Sequence, residues 1–491
     1  METADRYSER AYGAAAFAAF DPHAAAHREA AAAVRERLVD AGFGPERAAA
    51  LFGASDLADV RADRSAYYDA VVLPRDAAGR AARFFVLHQT QAEPELRAWL
   101  GDPALDFLIA LAAIVPAAGG LRALVSASWF AGCLIFADAR AYNAVWPGDP
   151  FADYVMPPGG DSLGLWRVAP RTPRRATLDL CCGPGTQTLA AASYSERVTG
   201  VDVNPRALRF ARFNAAVNRI EHARFVLGDA YAPLGEERFD AILANPPFVP
   251  WPAGEGALLY RGGGARGEDV LARILAGAVE RLEPHGSLAV VADFADAETL
   301  PERMREWQGA ARRTLILLQQ RYELLAYAET HAAHHDDRAA RQAEVVRLLT
   351  HFRQAGIATL DFGYIVQDGM PGAALIERTA APAATEICAD VAAWFAHQRR
   401  LAAGAAGDAI LRLAPGLRLV DVAESEPPAA ATISCYVAPG AGSLHEARPV
   451  SRTAFGLLIR AAAGDVRAGD VSGDAARELT ALLERGLLRL S

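Results

Sequence analysis

Apolar positions along the chain change their spacing near residue 156. Upstream they recur at helical intervals, as in AAAHREAAAAVRERLVDAGF, a pattern that Gly42 and Gly44 can terminate. The most apolar stretch, Phe107 to Ala139, is broken by Pro116, Gly119, Gly120 and Arg122, so it lacks the run of about 18 residues that a membrane span needs. It predicts a buried helix followed by two strands, LRALVSAS and CLIFADAR, joined at WFAG. A mainly helical, winged-helix-like domain over 1–155 follows, closed by the proline-, glycine- and aspartate-rich junction Trp146 to Ser162.

From Ala176 short apolar runs alternate with amphipathic stretches. ATLDLC, RVTGVDV, ARFVLGD, DAILA and SLAVVADF read as strands, and segments from Thr186, Pro205 and Glu268 read as helices. This alternation predicts an α/β, doubly wound, Rossmann-like domain over 156–380, whose parallel sheet is covered on both faces. TLILLQQ and IATLDFGYIVQD supply late strands, with a helix across DRAARQAEVVRLLTHFRQ that Gly356 stops. Residues 381–491 predict a small α+β accessory domain ending in the helix GDAARELTALLERG.

A length of 491 residues exceeds one compact core and leaves room for two to four domains. Hydrophobic residues make up 52% and charged residues 22%, the balance of an ordinary globular protein. All 50 basic residues are arginine, and the net charge of -9 weighs against a phosphate backbone as partner. The five cysteines show no CxxC or Cys/His metal spacing, and the start METADRYSERAYG lacks the apolar core of an export signal. The expectation is a cytoplasmic protein with no membrane partner and no metal.

The candidate chemistry begins at LDLCCGPGTQTLAAA, where a strand enters a glycine turn and then a helix. Gly183 and Gly185 allow a tight bend and close approach to a ligand, and the following amides face a polar group. Thr188 stands where a dinucleotide fingerprint needs glycine, which disfavours NAD or FAD. Three carboxylates end successive strands: Asp179 toward an amine, Asp202 toward ribose hydroxyls, and Asp229 toward an adenine amino group. An amine, a ribose and an adenine without phosphate describe S-adenosylmethionine. The run FDAILANPPFVP then ends a buried strand on an asparagine and two prolines, which can neither continue a sheet nor start an ordinary hairpin.

LDLCCGPGTQ, GVDVNPRAL, GD and ANPPF, in this order and spacing, resemble class I S-adenosylmethionine-dependent methyltransferases of the NPPY/F branch. Members of that branch methylate planar nitrogens, namely release-factor glutamine amides and the exocyclic amines of RNA guanine or adenine. The resemblance covers roughly 156–320 and implies S-adenosylmethionine as cofactor. It implies a cofactor site from Asp179, Cys181, Gly183, Gly185, Gln187, Asp202, Val203, Asp229, Ala230 and Asn245. The chain departs from the family at Cys181, where glycine is usual, and at Pro184.

The same resemblance implies Asn245, Pro246 and Phe248 as the catalytic group. The Asn245 side-chain oxygen and the Pro246 carbonyl would accept the two N–H bonds of the acceptor nitrogen and localise its lone pair. Phe248 would stack on the planar group and hold it in line. The favoured acceptor is a protein or small molecule. An RNA or DNA base is the second reading, and a non-catalytic cofactor-binding scaffold the third; the acceptor's identity and the oligomeric state are left open.

Four other stretches carry less weight. GGDS, Gly159 to Ser162, reads equally as a cover for the cofactor or a linker turn. In HAAHHDD, His331, His334 and His335 read as a solvated helix start capped by Asp336 or Asp337, ahead of a metal reading. Cys181 and Cys182 read as small buried packing, and RGGGARG, Arg261 to Gly267, reads as a mobile substrate lid.

Overall fold

The computed structural model describes residues 15–61, 64–139, 153–252, 259–332, 337–379, 385–403, 411–413, 417–422, 434–439, 448–464, 466–485 and 487–490. The N-terminal segment holds helices α1 (Ala25–Asp40), α2 (Ala77–Phe85), α3 (Glu93–Leu100) and α4 (Asp102–Ala110). Two antiparallel hairpins follow, β1 (Ile114–Ala117) with β2 (Gly120–Ala123), and β3 (Val125–Phe130) with β4 (Cys133–Asp138). The expected pair of strands corresponds to the second hairpin, except that LRALVSAS is divided between β2 and β3 and the first hairpin takes the place of the end of the expected helix. Pro116 and Gly120 lie in its two strands.

The sheet has eight strands: β5 (Arg174–Leu180), β6 (Ser195–Asp202), β7 (Ala223–Leu227), β8 (Phe239–Ala244), β9 (Leu282–Ala295), β10 (Arg312–Tyr322), β11 (Leu360–Pro371) and β12 (Ala374–Arg378). Their order is β12-β10-β11-β9-β8-β5-β6-β7. β11 runs antiparallel to both neighbours, β9 and β10, and the other pairings are parallel. β5 lies between β6 and β8, so the strand order reverses there, and a crevice opens at the carboxyl ends of those strands.

The connecting helices are α5 (Gly160–Val168), α6 (Thr186–Ala191), α7 (Pro205–Val217), α8 (Asp269–Arg281), α9 (Leu300–Gln308), α10 (Leu324–His331) and α11 (Arg338–Gln354). Both faces are covered, as the patterning predicts. Leu271, Ile274 and Leu275 of α8 and Leu300 and Met304 of α9 bury one face. Leu165 and Val168 of α5 cover the other, together with Val391, Trp394 and Phe395 of α12 (Cys388–Ala402). A core made by α13 (Arg452–Ala463) and α14 (Asp474–Glu484) lies beyond.

The first hydrophobic core does not stop at residue 155, because Ala207, Phe210, Phe213 and Val217 of α7 belong to it. Phe17 stacks on Phe213 with ring centroids 4.0 Å apart, and Phe136 meets the same ring edge-on at 5.4 Å. Such pairs add about 0.5–1.5 kcal/mol beyond the area they bury. Arg206 forms a fully buried ion pair with Asp138. Two asparagines one turn apart complete the joint. Asn214 and Asn218 each accept from a backbone N–H of β4 and donate to the same residue's carbonyl, at Phe136 and Leu134, all at 2.8 Å.

Candidate functional site

At the carboxyl end of β5 the backbone turns through Cys181 at φ 58° and Gly183 at φ 52°. Cys181 stands in the left-handed region where a side chain is strained, which is the physical content of the glycine usually found there. A side chain at Gly183 would meet nothing within 4 Å, so this point of the turn is open to a ligand. Gly185 differs. A Cβ there would come within 3.3 Å of Ala211 and Phe225, so its role is close packing under α7 and β7 and not approach to a ligand.

Asp179 does not face an amine. It is 2% exposed, and its Oδ2 accepts from the backbone N–H and the hydroxyl of Thr188, at 2.8 and 2.6 Å. Burial pushes its carboxyl up to about 7 against those two hydrogen bonds. It therefore anchors the start of α6 to the strand. Gln187 is also turned inward, donating to the Ser162 carbonyl at 2.7 Å, and so ties α6 to α5.

The ribose end is better formed. Asp202 accepts from Gly183 N–H at Oδ2 and from Asn204 N–H at Oδ1, both at 2.8 Å, which fixes the carboxylate while leaving a lone pair on each oxygen. Burial pushes its pKa up against these backbone donors. Next to it Val203 is 48% exposed, and Leu227 at the end of β7 is 53% exposed. Asp229 is in the open and takes a hydrogen bond from Arg273 at 2.9 Å, and Ala230 sits at φ 46°. Two exposed apolar side chains beside a fixed carboxylate suit a ribose with a planar base. Leu227 was missed because an exposed leucine at a strand end has no signal of its own.

At the end of β8, Asn245 donates through Nδ2 to Asp161 Oδ2 at 2.8 Å and to the Ser162 hydroxyl at 3.3 Å. Holding the amide nitrogen inward settles which way the side chain faces: Oδ1 is left as a free acceptor, with no described residue donating to it. GGDS is therefore the support of Asn245, at the first turn of α5. Pro246 is buried, and Phe248 is partly buried between the core under α8 and a second one containing Val249, Tyr327 and Phe352.

RGGGARG is not a loose lid. Arg261 and Gly263 pair with Val249 through two backbone hydrogen bonds of 2.9 Å, Trp251 bonds to Gly264 at 2.9 Å, and Arg266 reaches the Ala355 carbonyl and Asp296. It forms a wall beside the strand end. His331 is not solvated: it packs on Tyr327 at 4.2 Å, and burial together with nearby Arg261 pushes its pKa down to about 3. Asp337 caps α11, while His334, His335 and Asp336 lie outside the described residues. Cys182 is buried and Cys181 half-buried, both free thiols with pKa values raised by burial. Among the described residues no group of His, Cys, Asp or Glu could hold a metal, and no helix is long and apolar enough to cross a membrane.

Residues 162–314 match the family model described as the methyltransferase small domain. This segment is a methyltransferase domain. Its cofactor is S-adenosylmethionine, and Gly183, Asp202, Val203 and Leu227 fit that group, whereas Asp179 and Gln187 are committed elsewhere. Relatives of the domain include the ribosomal protein uL3 glutamine methyltransferase of Bradyrhizobium diazoefficiens, 35% identical over 26% of this chain and 44% of that protein. The release factor glutamine methyltransferase of Koribacter versatilis is 33% identical over 28% of this chain and 54% of its own. An uncharacterized RNA methyltransferase of Gloeobacter violaceus is 36% identical over 16% of this chain and 18% of its own. The chain spans about half the length of the two glutamine methyltransferases it matches.

Proposed function

We propose that this protein transfers a methyl group from S-adenosylmethionine to a planar nitrogen, an amide or exocyclic amine, of a protein or small-molecule acceptor. The observation that carries the reading is the orientation of Asn245: its Nδ2 is bound by Asp161, so its Oδ1 faces outward as an acceptor. The similarity to two glutamine methyltransferases supports an amide-like nitrogen.

A planar nitrogen is a weak nucleophile because its lone pair is delocalised. Asn245 Oδ1 and the Pro246 carbonyl would each take one N–H, turning the lone pair out of conjugation. Proline suits this position because its backbone accepts without donating. When bound, the cofactor would supply an electrophilic methyl group to that nitrogen, the electron pair of the old carbon–sulfur bond remaining on sulfur. The nitrogen then releases a proton to water, so no strong base is needed. Phe248 presents an aromatic face to the planar group, and Asp202 holds the ribose end.

Incubation with methyl-labelled cofactor and fractionated cell extract tests the reading. Label is expected in protein or small molecules, and Asn245→Ala should reduce transfer by roughly 100-fold or more, with cofactor affinity retained. Label confined to RNA or DNA would favour the base-methyltransferase reading. Cofactor binding without transfer to any fraction would leave a scaffold.

A further inference from the structure

The sheet face that carries Asn245 carries a second polar group that the chemistry above does not use. Side chains alternate along a strand, so Leu243 and Asn245 of β8 share a face, as do Val291 and Asp293 of β9. Phe362 lies opposite Asp293 in the antiparallel pairing of β9 with β11. Leu243, Val291, Phe362 and Tyr364 form one core with Leu165 and Val168 of α5, so this is the face that α5 covers. Asp161, in the first turn of α5, holds Asn245.

Asp293 is 2% exposed. Its Oδ2 accepts from the Tyr327 hydroxyl at 2.6 Å, but its Oδ1, equally enclosed, has no hydrogen-bond partner among the described residues. Val249 shares a core with Tyr327, and Phe248, which follows the two prolines, borders that same core, so the Asp293–Tyr327 pair lies against the wall of the proposed site. A buried polar atom without a partner costs about 1–3 kcal/mol, more when charged, and the fold gains nothing from it at a place where alanine or valine would pack.

We propose that Asp293 selects the acceptor: its Oδ1 takes a hydrogen bond from a second N–H next to the nitrogen that Asn245 holds, so that the acceptor presents an N–C–N edge. Aminated nitrogen heterocycles and guanidino groups share that edge. The proposal rests on the N-methyl transfer reading and takes its exocyclic-amine arm in place of the carboxamide that the glutamine methyltransferase relatives suggest. A carboxamide gives both hydrogens of its nitrogen to Asn245 and Pro246, and its remaining polar atom is an oxygen that accepts only, which an ionised Asp293 would repel. In an N–C–N edge that oxygen is replaced by a donor.

The groups facing Asp293 are Asp161 from α5, Tyr322 from β10 and Tyr327 from α10. Burial pushes the Asp293 carboxyl up to about 7, with the Tyr327 hydroxyl pulling it down and Asp161 pushing it up. Selection should therefore strengthen as pH rises through about 7.

The test uses the full chain saturated with S-adenosylhomocysteine, titrated calorimetrically with guanosine, N-acetylarginine methylamide and N-acetylglutamine methylamide, and each compound is also offered with methyl-labelled cofactor. At least one N–C–N compound is expected to bind or be methylated ten-fold better than the glutamine compound. Guanosine alone responding assigns a heterocycle, and the arginine compound alone a guanidino group. Asp293→Asn, whose oxygen can still accept from Tyr327, should erase the preference and its pH dependence without changing affinity for S-adenosylhomocysteine. Tyr327→Phe, which removes the donor, should move the pH midpoint upward. A preference for the glutamine compound, no preference, or a preference that survives Asp293→Asn would overturn the proposal. Failure to bind S-adenosylhomocysteine, or to label any extract fraction, would instead sink the methyl-transfer reading beneath it.

Discussion

Asn214 and Asn245 are the same residue in two different settings. Asn214, at the joint between the N-terminal segment and α7, uses both ends of its amide, accepting from Phe136 N–H and donating to the Phe136 and Pro184 carbonyls. Asn245, at the end of β8, uses one end and leaves the other open. The carboxylates divide in the same way. Asp138 gives both oxygens to Arg206 and accepts from Val155 N–H, whereas Asp293 has one oxygen bound and one bare. Burial does not separate the two regions, since Asp138 and Asp293 are each 2% exposed. What separates these four side chains is the hydrogen-bonding capacity that Asn245 and Asp293 leave unused, which at the strand end is what a ligand would complete.

The contrast can be broken from either side. The largest stability effect should come from Arg206→Ala, which strands the Asp138 carboxylate in the interior and should cost about 3–5 kcal/mol in denaturant unfolding. Asp138→Asn combined with Arg206→Met should recover most of it. Asn245→Ala and Asp293→Asn, by contrast, should leave the unfolding midpoint near that of the parent or raise it.

A smaller effect concerns Asp179, whose pKa is raised to about 7 by burial. The folded state then holds its proton more tightly than the unfolded chain, where the carboxyl titrates near 4. This group adds stability at low pH and loses it as pH rises from about 4 through about 7. Asp179→Asn should flatten the pH dependence of the unfolding free energy in that window; an unchanged slope would show that Asp179 ionises normally. Smallest is Asp161→Ala, which frees the Asn245 amide to rotate. It should lower kcat roughly ten-fold, the scale of a lost positioning contact, with stability and cofactor affinity unmoved.

The sheet was legible in the sequence because its strands are short apolar runs ended by polar residues, and β5 through β9 fall where DLC, VDV, LGD, ILA and VVA place them. The positions of Asp202 and Asn245 at the crevice were legible for the same reason, since one ends β6 and the other follows β8. Asp179 looked like Asp202 from its position, but strand periodicity gives no account of Thr188, which claims its carboxylate from the next helix, nine residues on. Asp161 and Asp293 could not be assigned, because their meaning is a contact across 84 residues in one case and an absent contact in the other. Val203 is exposed where the family pattern places a cofactor residue, while Gly185 proved to be a packing residue because Phe225 comes from another strand.

The paired asparagines of α7 carry one further consequence. Asn214 and Asn218 occupy the outer edge of β4 as a neighbouring strand would, supplying a donor and an acceptor at every second residue. A fragment ending near residue 155 would lose that cover together with the phenylalanines of α7, leaving a bare hairpin edge over an open aromatic surface. Such an edge is a template for pairing with other chains. The helix that follows β6 thus also shields the N-terminal hairpin from self-association, and each segment covers a surface that the other would leave exposed.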